Sequence, residues 1–135
     1  MIIEGKIWKN KKAWLIEIPI LDLMTQGKSR ANALEMIKDA VELLIDEKNF
    51  SVKITDQNKE RFTISSSDTN VLMALILRRQ REKNQLSLKD ITNKMHYKSR
   101  NSYARYELGR TEISITKFDK LFFAITNRNI LIKVA

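Results

Sequence analysis

SLKDITNKMHYKSRNSYARYELGR, residues 87–110, sets the pattern for the second half of this 135-residue chain. Ser87 stands three residues before Asp90, the spacing at which a capping acid helps a helix to start. Leu88, Ile91 and Met95 then supply an apolar side at helical intervals. The polar, basic turn HYKS follows. Ser99 reads as the N-cap of a second short helix, with Tyr103 and Tyr106 turned to the core and Arg100, Asn101, Ser102 and Arg105 on the outward side. Gly109 suits a left-handed residue that ends this helix.

Two short helices joined in this way are the sequence form of a helix-turn-helix, which lays its second helix in the major groove of DNA. Arginine bonds guanine through two donors, and asparagine does the same for adenine. Arg100, Asn101, Ser102 and Arg105 are therefore the expected base readers. Lys98 in the turn and Arg79 on the preceding helix are the expected phosphate contacts. The bland reading of late basic residues on that preceding helix is that they suit the negative end of its dipole, and this covers about half of them. Tyr103, Tyr106, Phe118, Phe122 and Phe123 lie near basic residues, as base-stacking aromatics do, but their helical spacing favours core packing. His96, the single histidine, builds no metal site alone and reads as an exposed turn residue.

The flanks extend the helical pattern. Asp68 or Thr69 fits as cap of a helix over NVLMALILRRQREKN, apolar at its start and basic at its end. ISITKFDKLFFAIT reads as a further helix, with Ser114 as N-cap and Phe118, Leu121, Phe122 and Ile125 as its buried stripe. The segment NILIKVA, residues 129–135, leaves an added strand and a dimer contact both open.

Composition narrows the partners. Residues 1–69 carry 11 Lys/Arg and 11 Asp/Glu, whereas residues 70–135 carry 14 and 5, so the whole net charge of +9 lies in the second half. Such an excess points to a polyanion, since neutralising phosphates releases condensed counterions. The chain has no cysteine, which excludes disulfides and thiolate metal sites. The opening residues lack the pattern of an export signal, and the longest apolar run, residues 71–77, falls far short of the roughly 20 residues a membrane helix needs. A cytoplasmic protein without membrane contact is expected. SSSDTN, residues 65–70, marks the boundary between the neutral and basic halves.

The first half reads as a small α+β domain. Residues 1–9 and 13–19 form a hairpin pattern around a polar turn, and Pro19 closes the second strand or sits at an edge. LDLMTQG is a third strand or a turn. Ser29 fits as N-cap of a helix reaching about Lys48, with Leu34, Ile37, Val41 and Leu44 at its apolar spacing and Ala33, Met36 and Ala40 widening the stripe. SVKIT and RFTIS flank DQNKE as a second hairpin. A rival reading gives this half clustered carboxylates for metal ions, drawn from Glu4, Glu17, Asp22, Asp39 and Glu42. Asp39 and Glu42 lie opposite the apolar stripe, where solvated charges normally go.

The order of strand, basic turn, WLIEIPILDL, TQGKS and the helix ANALEMIKDAVELL resembles the N-terminal domain of HicB-type antitoxins, a degenerate relative of the RNase H fold. SLKDITNKM followed by SRNSYARYELGR resembles the XRE-type helix-turn-helix, and YARYELGR is similar to the C-terminal domain of HicB antitoxins. Leu88 departs from the glutamine common in the first helix, which removes a familiar phosphate contact. The turn through His96 and Tyr97 lacks the usual glycine and is one residue longer. The expected architecture is α+β, a small degenerate RNase H-like domain over residues 1–66 followed by an all-helical domain over 67–135.

The resemblance implies an antitoxin that covers a HicA-type mRNA-cleaving toxin and represses its own operon by binding operator double-stranded DNA. It also implies a homodimer or higher oligomer, no enzymatic activity and no cofactor. Three other functions compete with it. One is a stand-alone regulator whose first domain dimerises or senses a ligand, another a metal-dependent ribonuclease, and the third a nonspecific RNA-binding protein.

Overall fold

The computed structural model describes residues 1–134. The chain divides after Thr69 into two compact units, three residues beyond the boundary expected at Ser66. Together they contain five strands, all in one antiparallel sheet, and five α-helices among the described residues.

The first unit holds β1 (Ile2–Asn10), β2 (Ala13–Ile18), β3 (Leu23–Gly27), α1 (Arg30–Ile45), β4 (Lys53–Asp56) and β5 (Arg61–Ser65). The sheet order is β3-β2-β1-β5-β4. Period two sets the faces. Ile3 and Ile7 of β1, Ile16 and Ile18 of β2, and Phe62 and Ile64 of β5 are buried, and the register puts Ile7 opposite Ile16 and Ile3 opposite Ile64. Gly5 faces Phe62. A Cβ on Gly5 would stand 2.2 Å from the Phe62 ring, so the glycine makes room for the aromatic side chain.

LDLMTQG resolves into both readings at once. Pro19 opens a single 3-10 turn, Pro19–Leu21, after the last residue of β2, and β3 follows. A proline at the first helical position gives up no needed donor.

Ser29 caps α1 by accepting a bond from the Asn32 N–H at 3.1 Å. The helix buries Ala33, Ile37 and Val41. Met36 stands exposed instead of widening this stripe, because it lies 100° round the helix from Ile37. α1 stops at Ile45, short of Lys48, where Asp46 takes a left-handed conformation with φ 52°. At the other end Arg30 reaches the β4–β5 turn, pairing with Asp56 and donating to the carbonyls of Asn58 and Lys59.

The second unit holds α2 (Thr69–Lys83, its first residue at the division), α3 (Leu88–Lys94), α4 (Asn101–Glu107) and α5 (Ile115–Thr126). Residues 71–77 of α2 are all buried. Ser114 caps α5 by accepting from the Lys117 N–H, and Phe118, Leu121, Phe122 and Ile125 form its buried stripe. Phe123 departs from the expected core packing and is exposed, lying on the opposite side of the helix from Leu121 and Ile125.

Residues 129–134 form neither helix nor strand. Ala135, the last residue of the segment NILIKVA, lies outside the described residues.

Candidate nucleic-acid interface

The candidate site is built on α3, a turn and α4. Ser87 and Asp90 form the reciprocal cap at the start of α3: the Ser87 hydroxyl accepts from the Asp90 N–H at 3.0 Å and the Asp90 carboxylate accepts from the Ser87 N–H at 2.7 Å. Ser87 holds the Asp90 carboxyl below its ordinary pKa, first through its backbone N–H and then through its side chain. Ile91 and Thr92 carry the buried side. Leu88 does not join them as expected and is 38% exposed. It is the first residue of the helix, and Cβ atoms tilt toward the N-terminus, so its side chain projects past the end.

The turn closes without glycine. His96 takes φ 56°, its N–H donates to the Asn93 carbonyl, and the Tyr97 N–H donates to the Thr92 carbonyl. This is the Schellman pattern, with histidine in the left-handed place that glycine usually fills. The Tyr97 hydroxyl accepts from Lys117 Nζ at 3.1 Å, which ties the turn to α5 and raises the Lys117 pKa. Ser99 then accepts from the Asn101 N–H at 3.3 Å, while its carbonyl accepts from the Ser102 N–H. Arg100 already has helical backbone angles, φ −54° and ψ −36°.

α4 is held from behind. Tyr103 is fully buried. Glu107 receives two bonds from Arg81 of α2, Nε at 2.6 Å and Nη2 at 3.0 Å, and Arg81 Nη1 also donates to the Leu86 carbonyl at 2.8 Å. The Glu107 bond and charge raise the Arg81 pKa against the opposing effect of burial. Burial, and then the Glu107 carboxylate, push the Tyr103 phenol up, well beyond its ordinary range. Gly109 ends the helix at φ 68°. Asn70 fixes the loop beyond it, donating to the Gly109 and Thr111 carbonyls at 3.0 and 3.1 Å and accepting from the Ile113 N–H at 2.8 Å.

With that side committed, the other is free. At 100° per residue Arg100, Asn101, Ala104, Arg105 and Leu108 share an arc of about 140°, and Arg100, Asn101, Arg105 and Leu108 are exposed. Ser102 falls at the margin of this arc and is half-buried. Lys98 stands exposed just before the helix and Arg110 just after it. The side chains of Lys98, Arg100, Arg105 and Arg110 have no hydrogen-bonding or ion-pair partner among the described residues.

Arg79 is placed differently, on α2, where its guanidinium meets Glu82 of the same helix at 3.3 Å. Any phosphate there would compete with that carboxylate. Three further cations in this half serve the fold: Arg81 on Glu107, Lys117 on Tyr97, and Lys94, whose Nζ donates to the Ala124 carbonyl at 3.1 Å. Leu108 was not among the expected site residues. Its spacing, three after Arg105 and seven after Asn101, is the signal that places it on their face.

The acids of the first unit are occupied or dispersed. Glu42 accepts from the Val52 N–H at 3.0 Å, and Glu17 stands on β2 opposite Lys6 in the strand register. Among the described residues no group of three or more His, Cys, Asp or Glu side chains is placed to hold a metal ion. No described helix is long and apolar enough to cross a membrane. No protein-family model matches the chain, and no curated protein matches it.

Proposed function

We propose that the chain is a HicB-type antitoxin that neutralises a HicA-type mRNA-cleaving toxin and represses its own operon. In this reading residues 67–135 are an XRE-like helix-turn-helix domain, with α4 as the helix that enters the major groove. Residues 1–66 are the toxin-neutralising, degenerate RNase H-like domain, a descent supported by the order of strands and helix and not by any catalytic constellation. The observation that carries the reading is the outward face of α4 and its flanks, where Lys98, Arg100, Arg105 and Arg110 stand exposed and unpartnered beside Asn101. Arg100, Asn101 and Arg105 read base edges, Ser102 supports them from the margin, and Lys98 and Arg110 meet phosphates.

Co-expression with the product of the neighbouring reading frame, followed by co-purification and a growth assay, tests the toxin partner. Retained operator binding with no captured toxin and no rescue of growth would leave a stand-alone regulator. Binding to upstream DNA tests the second function: Arg100→Ala or Asn101→Ala costs about 1–3 kcal/mol on the operator and relaxes its specificity. Equal loss on operator and random duplex would remove Arg100 from base reading.

A further inference from the structure

Residues 129–134, sequence NILIKV, combine four aliphatic side chains with a backbone that makes no hydrogen bond within the described residues. Leu131, Ile132 and Val134 are 76%, 74% and 100% exposed. A run rich in β-branched residues with unpaired N–H and C=O groups is a template for another strand. We propose that this segment pairs antiparallel with the same segment of a second copy, on a two-fold axis at Leu131.

The register follows from the side chains. Centred on Leu131, the pairing sets Ile130 opposite Ile132, Asn129 opposite Lys133 and Leu131 opposite itself. Aliphatic meets aliphatic, and each lysine faces an uncharged residue. Moving the axis to Ile132 puts Leu131 against Lys133, and moving it to Ile130 puts Leu131 against Asn129; both waste apolar contacts that stabilise a strand pair. A closed dimer requires such a self-complementary patch. In the chosen register Ile130 and Ile132 of both copies gather on one face of the ribbon. A two-stranded ribbon alone is marginal, and Phe123, exposed in the last turn of α5, supplies apolar surface to cover that face. The inference gives the expected dimer a surface, and its test reads mass and cross-linking without DNA or toxin, so it stands or fails separately from the function proposed above.

The full chain has no cysteine, so a single introduced thiol reports the register. Under mild oxidation Leu131→Cys forms a covalent dimer, because directly opposed residues lie within disulfide reach. Asn129→Cys does not, since the two copies of that residue are offset by four positions, roughly 13 Å along the strand. In sedimentation equilibrium the unmodified protein has the mass of two chains, and Leu131→Asp weakens the dimer at least tenfold while its melting temperature, compared at a dilution where both proteins are monomeric, is unchanged. A monomeric parent protein, a dimer indifferent to Leu131→Asp, or equal cross-linking from both thiols would each overturn the proposal.

Discussion

Arg81 and Glu107 lie 26 positions apart, and each looks in the sequence like an ordinary surface charge. In the fold their side chains are only 15% and 7% exposed and are joined by two bonds. Removing one partner strands the other charge in a poorly solvated place, and that penalty outweighs whatever the pair contributes net. Glu107→Ala is therefore expected to destabilise the protein by about 3 kcal/mol in a denaturant titration. A loss below about 1 kcal/mol, the range of an exposed pair, would show that the site is wetter than the geometry indicates.

Tyr103 beside this pair makes the opposite case. Its buried hydroxyl makes no hydrogen bond of full geometry, although Glu107 and Arg81 stand beside it, so it recovers little of its desolvation cost. Tyr103→Phe removes only that oxygen, and an unchanged or higher melting temperature is expected. A fall of several degrees would mean that the phenol is bonded in solution.

At the scale of elements, α3 and the turn after it offer two independent handles. Asp90 caps α3 with a pKa below its ordinary value of 3.8. A carboxyl whose folded pKa is depressed contributes stability above its unfolded value and loses it as pH falls through the folded one. The melting difference between the parent protein and Asp90→Asn should thus hold at neutral pH and shrink below 3.8. A difference that persists into stronger acid would assign it to something other than the cap. His96 bears a side chain at φ 56°, where L-residues are strained by roughly 1–2 kcal/mol. His96→Gly relieves that strain but adds freedom to the unfolded chain. The balance favours glycine by up to about 1 kcal/mol, read as a higher melting temperature; His96→Val should lower it.

These elements also show where the sequence could be read. Caps at Ser29, Ser87 and Ser114 depend on neighbours three residues away, and the hairpins on a period of two, so both are legible; the expected cap at Ser99 falls one residue early, since Arg100 holds the N-cap position of α4 without a side-chain cap bond. Leu88 and Phe123 are exposed despite their apolar character, because residue type says nothing about where a helix face meets its neighbour. Arg30 on Asp56, Arg81 on Glu107 and Asn70 on the loop after Gly109 are choices made between distant segments, and no local pattern carries them. The outward set on α4 was legible for the same reason as the caps: Tyr103 and Glu107 fix one side of a seven-residue helix, and spacing leaves the rest. Ser102 at its margin is the measure of how finely that argument resolves.

Across the whole molecule the charge divides as the proposed function requires. The first unit is neutral, its Lys6 facing Glu17 across the sheet and its Arg30 paired with Asp56. The second holds the entire excess, and within it several cations are already bound to internal acceptors while those from Lys98 to Arg110 are not. Only an unengaged cation can exchange condensed counterions for itself on a phosphate, so affinity should depend on salt through the second unit. Each lost phosphate contact flattens the plot of log K against log salt by about 0.9. Lys98→Ala should produce that change equally on operator and random duplex, whereas Lys53→Ala on the edge strand β4 should leave the slope as it was. If Lys53→Ala flattens the slope as much as Lys98→Ala, the phosphate track runs over the sheet, and the face of α4 is not where DNA lies.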